Sequence, residues 1–354
     1  MSHEGDTFLV VKLAAAGDVL LTTALTRALR RAHPRSTIGW ITSRYAAPLL
    51  ERNPDLDELI PLPLGGAGWG ARGRAGWAWL RALLAWRRRH GQGTVLLAHR
   101  SPHLAASVRA LAGGKVLALG RDAPFRTDQH RLEWQAGLLR AAGIEADAFG
   151  LQPVLALSDA ERQAGEAAWQ GAPAHPRWVI APGGANNPWS AMPNRCWPRE
   201  RFLALASRAR ATGVALRWMG GPADVPLIQW ICERLPPAAG AHGAGSGSLR
   251  QSAAVIAAAD LVIGNDSLPL VMAHAVGRPA LGLYGPTAGA LIHAFGEPLL
   301  QGKVVCGPCY DPRDGVHGRA YTCTRARCME DVTLERVWQC ARFYLPRPQV
   351  AHAR

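Results

Sequence analysis

Short apolar runs alternate with helical patterns along the chain, which is typical of parallel sheets built from strand–helix–strand units. The apolar runs predict strands over 8–13, 37–42, 58–62, 94–98 and 116–119, and then over 178–181, 214–218, 261–263 and 280–284. The clearest helix is predicted over about 19–32, where six Leu and Ala side chains share one face. Further helices are predicted near 199–210, 225–234 and 270–276.

The length of 354 residues exceeds the size at which one hydrophobic core usually stops growing. Hydrophobic residues make up 48% of the chain, which is enough for two cores. We therefore predict two domains, 1–160 and 161–354, with the boundary between about residues 150 and 176. A last helix over about 333–345 could pack back on the N-terminal domain.

The net charge of +14 favours anionic partners such as phosphates, phosphorylated lipids or an acidic membrane face. Only Lys12, Lys115 and Lys303 are lysines, so nearly all of this charge is arginine in an Ala-rich and Gly-rich chain, and compositional bias is an equally good explanation. The sequence contains no RNA-binding motif and no zinc-finger spacing with paired histidines. We therefore do not expect a nucleic-acid partner.

The N-terminal apolar run does not fit a signal peptide, because Lys12 interrupts it and acidic residues precede it. No uncharged apolar stretch of about 18 residues is present, so we expect no membrane span. Seven cysteines, an odd number, argue against a secreted disulfide framework. We expect a cytoplasmic protein, peripheral at most on the inner membrane.

Residues 61–74 are rich in glycine and are followed by basic residues at Arg81 and 87–89. They are predicted to form either a plain surface loop that leads into a solvated helix or a mobile loop that closes over an anionic acceptor. The stretch 240–247 is predicted to be a simple connector.

Asp18 follows the first predicted strand and the small residues 14–17, at the sheet edge where such folds bind ligands. The three-glycine dinucleotide pattern is absent. Asp18 is therefore either an N-cap of the first helix or a general base in an interdomain cleft.

Three loops at predicted strand ends of the second half form a candidate anion-binding rim. They contain Gly183 and Asn186, then Asp266 and Ser267 at the start of a helix, and then Gly285 and Thr287. Arg195 lies close in sequence and could supply a full positive charge, although a surface arginine is the alternative interpretation.

Several short motifs, in order along nearly the whole chain, resemble glycosyltransferase family 9, the lipopolysaccharide heptosyltransferase family. They lie at 11–25, 195–202, 220–222, 259–267, 283–287 and 306–310. The resemblance implies an α/β GT-B fold, in which two Rossmann-like parallel-sheet domains face each other across a cleft. It also implies inverting transfer from ADP-heptose to a lipopolysaccharide core-type acceptor. Because Arg195 and the helix N-terminus at Ser267 can stabilise the departing diphosphate, we expect metal-independent transfer.

The resemblance also assigns roles. Asp18 matches the catalytic base, and Arg195 stands where the family has a Lys that pairs with the donor phosphates. Asp224 matches an acidic residue at the donor ribose, and Asp266 with Ser267 matches the pair at the donor sugar and phosphates. Acceptor-binding candidates are Arg72, Arg74 and Arg100, toward an anionic glycolipid.

The family usually has Gly-Pro-Met-His after the Asp-Ser pair, whereas this chain has Leu-Pro-Leu-Val at 268–271. This difference leaves two alternatives open. The chain could be a glycosyltransferase with another nucleotide sugar or acceptor, or a non-catalytic nucleotide-sugar or glycan-binding or assembly protein.

Four cysteines follow a Cys-x2-Cys, then Cys-x4-Cys pattern: Cys306, Cys309, Cys323 and Cys328. The spacing is compatible with a tetrahedral structural zinc or iron site, and free or partly buried thiols are the alternative. No cofactor is required for the predicted reaction.

Overall fold

In a computed structural model, the chain is described over residues 6–63, 69–172, 176–187, 190–236, 245, 247–314 and 318–345. It divides into two compact units, Met1–Ser158 and Asp159–Arg354. The sequence places the division at 160/161, two residues further along the chain.

The first unit is a five-stranded parallel sheet with helices between the strands. Its strands are β1 (Thr7–Val11), β2 (Thr37–Ser43), β3 (Glu58–Leu62), β4 (Thr94–Leu97) and β5 (Lys115–Ala118). Its helices are α1 (Ala16–Ala32), α2 (Trp69–His90), α3 (Pro102–Ala112) and α4 (Arg131–Ala141). The strand order is β3-β2-β1-β4-β5.

The second unit is also built on a five-stranded parallel sheet, with order β12-β11-β10-β6-β9. Its strands are β6 (Arg177–Ala181), the short antiparallel pair β7 (Asn186–Asn187) and β8 (Ser190–Ala191), β9 (Ala215–Trp218), β10 (Leu261–Asn265), β11 (Ala280–Tyr284) and β12 (Leu299–Gln301). Its helices are α5 (Asp159–Ala167), α6 (Arg199–Ala211), α7 (Val225–Cys232), α8 (Leu249–Ala257), α9 (Leu268–Ala275), α10 (Arg319–Thr322), α11 (Arg327–Glu330) and α12 (Leu334–Ala341).

Each sheet has one point at which the strand order reverses. In the first unit the chain adds β2 and β3 on one side of β1 and then β4 on the other, so the reversal lies between β1 and β4. In the second unit it lies between β6 and β10. Ligands of open α/β sheets bind outside the carboxyl ends of the strands at such points.

Apolar strand residues explain why both sheets lie in the core. Leu9 and Val11 of β1 and Leu97 of β4 are fully buried in the first core, and Trp178 and Ile263 are fully buried in the second. Strands that are covered by helices on both faces read as nearly continuous apolar runs, which is why all nine predicted strands are found. The three-residue β12 is too short to give such a signal.

Two predicted segments differ from the structure. The glycine-rich stretch 61–74 is not one loop, because β3 reaches Leu62 and α2 already begins at Trp69. Residues 64–68 and most of the predicted connector 240–247 lie outside the described residues.

The last helix also has a defined place. Val337 and Ala341 of α12 are fully buried in the core of the second unit, and α12 packs against α6.

Candidate functional site

The carboxylate of Asp18 lies at the reversal point of the first sheet, in the first turn of α1. It does not cap the helix. Ala15 is the N-cap, its side chain makes no capping hydrogen bond, and Asp18 lies inside the first turn, so the capping alternative is wrong. About a third of the Asp18 side chain, 33%, is exposed, and the carboxylate is therefore accessible from solvent.

Two cations hold this carboxylate. The Arg131 guanidinium, from the start of α4, donates to Oδ1 of Asp18 at 2.8 Å, and the Lys12 ammonium lies 3.6 Å from Oδ2. Burial raises the pKa of Asp18, but the adjacent Lys12 and Arg131 outweigh burial and lower the pKa below its ordinary value. The carboxylate is therefore ionised at neutral pH.

His99 completes the group from the end of β4. Its Nε2 accepts the backbone N–H of Leu13 at 2.8 Å, which fixes the loop between β1 and α1. Burial, and then the charge of Lys12, lowers the pKa of His99 to about 3. The imidazole is therefore neutral, and since Nε2 is an acceptor its proton lies on Nδ1.

Burial also lowers the pKa of Lys12, and the nearby Arg131 lowers it further, while Asp18 opposes this change. The group thus joins residues that follow β1 and β4 with residues from the first turns of α1 and α4 around one carboxylate. Sequence analysis assigned a role only to Asp18. His99 and Arg131 are far from it along the chain, and Lys12, although it lies in the 11–25 motif, shows its contact with Asp18 only in the structure.

In the second unit, the loops after β6 and β10 meet at the reversal point. Gly184 has a φ of +100°, and a Cβ there would lie 2.7 Å from Cβ of Ser267, so the close approach of the two loops requires glycine. Asn265 is fully buried, and its amide donates to the carbonyls of Pro182 at 2.7 Å and Gly183 at 2.9 Å. Sequence reasoning missed Asn265, although an amide at a buried strand end is a usable signal.

Arg195 is not a surface side chain. Only 11% of its side chain is exposed, its Nε donates to the carbonyl of Gly184 at 2.6 Å, and Nη1 lies 3.8 Å from Oδ2 of Asp266. The guanidinium has five N–H donors in total, so several remain for other acceptors. Arg195, Gly184 and Asp266 thus form one side of the rim.

Ser267 is the N-cap of α9 but makes no capping hydrogen bond, and its hydroxyl donates to the carbonyl of Asn265 at 3.0 Å. Pro269 has no N–H, and the Leu270 N–H donates to the carbonyl of Ser267 at 3.2 Å. Within the described residues, the Leu268 N–H is therefore the donor of this turn that is left for an anion. Leu268 begins α9 and Leu270 is buried, so the 268–271 segment contributes apolar packing there.

The carboxylate of Asp224 accepts hydrogen bonds from two backbone N–H groups. Its Oδ2 accepts the N–H of Gly221 at 2.9 Å, and its Oδ1 accepts that of Gly184 at 3.3 Å. The carboxylate thereby ties the loop after β9 to the rim. Any contact with a ribose would have to use its remaining lone pairs.

The remaining predicted residues have different surroundings. Thr287 is 1% exposed, and its hydroxyl has no hydrogen-bond partner in the described part of the chain. A Cβ at Gly285 would lie 2.5 Å from Sδ of Met329, so its small size serves packing. Asn186 lies in β7, and its side chain is outside the described set.

The acceptor candidates are all in the first unit. Arg72 and Arg74 belong to α2, with side chains outside the described set. Arg100 follows β4 and is exposed, with its guanidinium carbon 4.6 Å from the ring centre of Phe125.

The four predicted metal ligands are all described, and all are free thiols that range from the exposed Cys306 to the buried Cys328. Across the described ranges, no group of three or more His, Cys, Asp or Glu is arranged to hold a metal ion. A structural zinc or iron ion at these four thiols stays a prediction.

The chain matches the family described as "Glycosyltransferase family 9 (heptosyltransferase)" over residues 95–307, more than half of its length. The chain belongs to glycosyltransferase family 9. The predicted family is thus confirmed.

Individual family 9 proteins are similar over most of the chain. "Lipopolysaccharide heptosyltransferase 2" of Salmonella typhimurium is 26% identical over 294 residues, which cover 79% of this chain and 83% of the relative. The family 9 glycosyl transferase from Veillonella parvula superposes with a TM-score of 0.78 at 19% identity, covering 97% of this chain and 98% of that one. "E. coli heptosyltransferase WaaC with ADP" gives 0.65 at 18% identity, covering 94% and 96%. These likenesses confirm the predicted α/β GT-B class with two Rossmann-like parallel sheets.

No helix in the described ranges has the length and apolar content that a bilayer span needs.

Proposed function

We propose that this family 9 glycosyltransferase transfers a heptose, with inversion and without a metal ion, from ADP-heptose to an anionic lipopolysaccharide core-type acceptor. Support comes from the family match, from relatives named lipopolysaccharide heptosyltransferase 2, and from a similar structure that is described with ADP. The proposed location is the cytoplasm, at the inner-membrane surface. No nucleic acid takes part.

The donor diphosphate is assigned to the rim of the second unit. Arg195 and the N-terminal turn of α9, with its helix dipole, supply positive charge where the leaving phosphate gains negative charge. These groups can replace the divalent ion that other transferases use. Asp266 beside Arg195 keeps the guanidinium in place.

The observation that carries the mechanism is the ionised, partly exposed carboxylate of Asp18 at the sheet reversal point. In the proposed step the acceptor oxygen bonds to the anomeric carbon, and the bond from that carbon to the diphosphate oxygen breaks. The acceptor hydroxyl proton passes to Asp18, and ADP leaves.

Lys12 and Arg131 lower the basicity of Asp18 in the free protein. An acceptor phosphate that competes for these cations would weaken their hold on Asp18 and raise its basicity. This gives a physical reason for an anionic acceptor. The contribution of Arg72, Arg74 and Arg100 to acceptor binding remains a prediction.

Two substitutions test Asp18 as the base. Asp18→Asn keeps size and polarity, so ADP affinity should change little, while turnover falls by about 10²- to 10⁴-fold, the usual contribution of a general base. Asp18→Ala should lose the same activity. Both variants leave Arg131 and Lys12 without their anion, so the melting temperature of both should fall. An Asn variant with near-normal turnover would rule out the base assignment.

A second candidate function rests on Leu268 and its neighbours at the start of α9, where the family pattern is absent. The chain could use another nucleotide sugar or acceptor, or bind such ligands without turnover. Thermal-shift measurements with ADP, UDP and GDP separate these possibilities. Selective stabilisation by ADP supports the proposed donor, and stabilisation by ADP without transfer in any acceptor assay would favour the binding protein.

A further inference from the structure

Helix α2 (Trp69–His90) has an unusual charge composition. Its 22 residues include six arginines, at 72, 74, 81 and 87–89, and no Asp or Glu. The solvent face of an amphipathic helix usually carries charged and polar residues, and on α2 all of the full charges are basic. The surroundings of these arginines show which of the charges stay uncompensated.

One face of α2 is fixed against the sheet. Leu83 is 1% exposed and Trp86 is 4% exposed, both within the first core. The Trp86 ring lies over Gly39 of β2, where a Cβ would come within 2.2 Å of it. The Trp79 indole N–H donates to the hydroxyl of Ser107 on α3 at 3.2 Å. The rotation of the helix is thus set, and so is its outer face.

The outer face consists of Trp77, Arg81, Leu84 and Arg88, spaced by four, three and four residues, which places them in one stripe. We call it the Trp77 face. Trp77 is 69% exposed, and Arg81 and Arg88 are exposed as well. Within the described part of the chain, neither arginine has a hydrogen-bond or ion-pair partner.

The neighbouring cations of α2 are engaged differently. Arg89 pairs with Glu58, and His90 Nε2 lies 2.9 Å from the same carboxylate. Glu58 therefore compensates the charge of Arg89 at the C-terminal end of α2. The Trp77 face keeps its charge.

We propose that the Trp77 face docks this protein on an anionic lipid surface. Tryptophan combines an apolar ring with a polar N–H and is favoured at the headgroup level of a bilayer. Arginines next to it are attracted to anionic headgroups, and a partly buried leucine between them adds apolar contact. The opposite charges of the face and the lipid surface identify the occupant.

A lipid surface fits this face better than a nucleic acid. Single-stranded nucleic acids bind in basic grooves in which several aromatic rings stack on successive bases. The Trp77 face is one convex helix stripe with a single exposed ring. The proposal does not depend on heptosyl transfer, because it concerns binding without donor or acceptor.

The test is co-sedimentation of the full chain with vesicles, with about 30% phosphatidylglycerol in phosphatidylcholine compared with phosphatidylcholine alone. Binding should require the anionic lipid and decrease with added salt. Arg81→Gln with Arg88→Gln should weaken binding by about 10- to 30-fold, the value expected for two surface arginines. Trp77→Ala should weaken it independently of salt.

Matched controls come from exposed side chains elsewhere. Phe149→Ala removes a 71% exposed aromatic residue, and Arg162→Gln removes an exposed arginine of the second unit. Both should bind vesicles like the unchanged protein. The charge-retaining pair Arg81→Lys and Arg88→Lys should keep most of the binding, which separates lost charge from lost folding.

Three results would overturn the proposal. The protein could bind neutral and anionic vesicles equally well, or the control variants could lose as much vesicle binding as the Trp77-face variants. Vesicle binding could also stay unchanged after the removal of Trp77 and both arginines. A fourth concerns the alternative partner. If a labelled single-stranded oligonucleotide binds more tightly than vesicles, and the same substitutions abolish that binding, the face recognises nucleic acid instead.

Discussion

Replacing Arg131 with Gln should move the acidic limb of the pH–rate profile to higher pH. Arg131 lies 2.8 Å from Oδ1 of Asp18 and, with Lys12, keeps the pKa of Asp18 low. In the unchanged protein the carboxylate therefore stays ionised until the pH falls below the ordinary range for Asp. Without Arg131 it takes up a proton at higher pH, and a base that is protonated cannot act.

The size of the change follows from the geometry. Two unit charges about 4 Å apart interact by about 1 kcal/mol in water and by about 4 kcal/mol at an effective dielectric constant of about 20. Because 33% of the Asp18 side chain and 23% of the Arg131 side chain are exposed, solvent screening favours the lower part of this range. Lys12 also remains. We expect the limb to move by about 1 pH unit, equivalent to about 1.4 kcal/mol.

The assay is kcat/KM from about pH 2.5 to 8, a range that extends below the ordinary pKa of Asp, and kcat/KM reports groups of the free enzyme. Arg131→Lys keeps the charge and should leave the limb nearly in place. If Arg131 had only a structural role, both substitutions would instead lower kcat/KM by the same factor at every pH. That flat result, with no movement of the limb, would refute the assignment of Arg131 as a positioning residue for Asp18.

Three further predictions concern other parts of the molecule. Arg195→Ala should weaken ADP binding by about 1.5 to 3 kcal/mol, the range for a charged hydrogen bond, whereas unchanged affinity in calorimetry would remove Arg195 from the donor site. Between pH 3 and 6.5 the unfolded chain protonates His99 while the folded chain does not, so stability should fall as pH falls, by on the order of 1 to 2 kcal/mol at pH 5. His99→Gln should reduce the pH dependence of the melting temperature in that window, and an identical dependence would show that His99 is not its source. Protein purified without chelators should hold no stoichiometric zinc or iron at the four thiols, because among the described residues no group of three or more such side chains has an arrangement that could hold a metal ion. One metal ion per chain by elemental analysis, lost in the Cys306→Ser, Cys309→Ser variant, would contradict this.

The sequence by itself determined the two parallel sheets, because strands buried on both faces need continuous apolar runs. It also placed Asp18 and Ser267 at strand or helix ends, where ligands of such sheets bind. Local patterns were sufficient for these features because strands, turns and helix starts depend on neighbouring residues. The glycine-rich start of α2 was misread as loop, since glycine disfavours helices unless tertiary packing compensates.

Only the tertiary structure decided which side chains meet. Arg131 lies 113 positions from Asp18 along the chain and His99 lies 86 from Leu13, yet the strand order brings both to the end of β1. The side chains that surround Asp18 distinguish a helix cap from a candidate base, and no local sequence pattern encodes them. The same holds for Arg195, whose burial against Gly184 and Asp266 follows from the adjacency of β6 and β10.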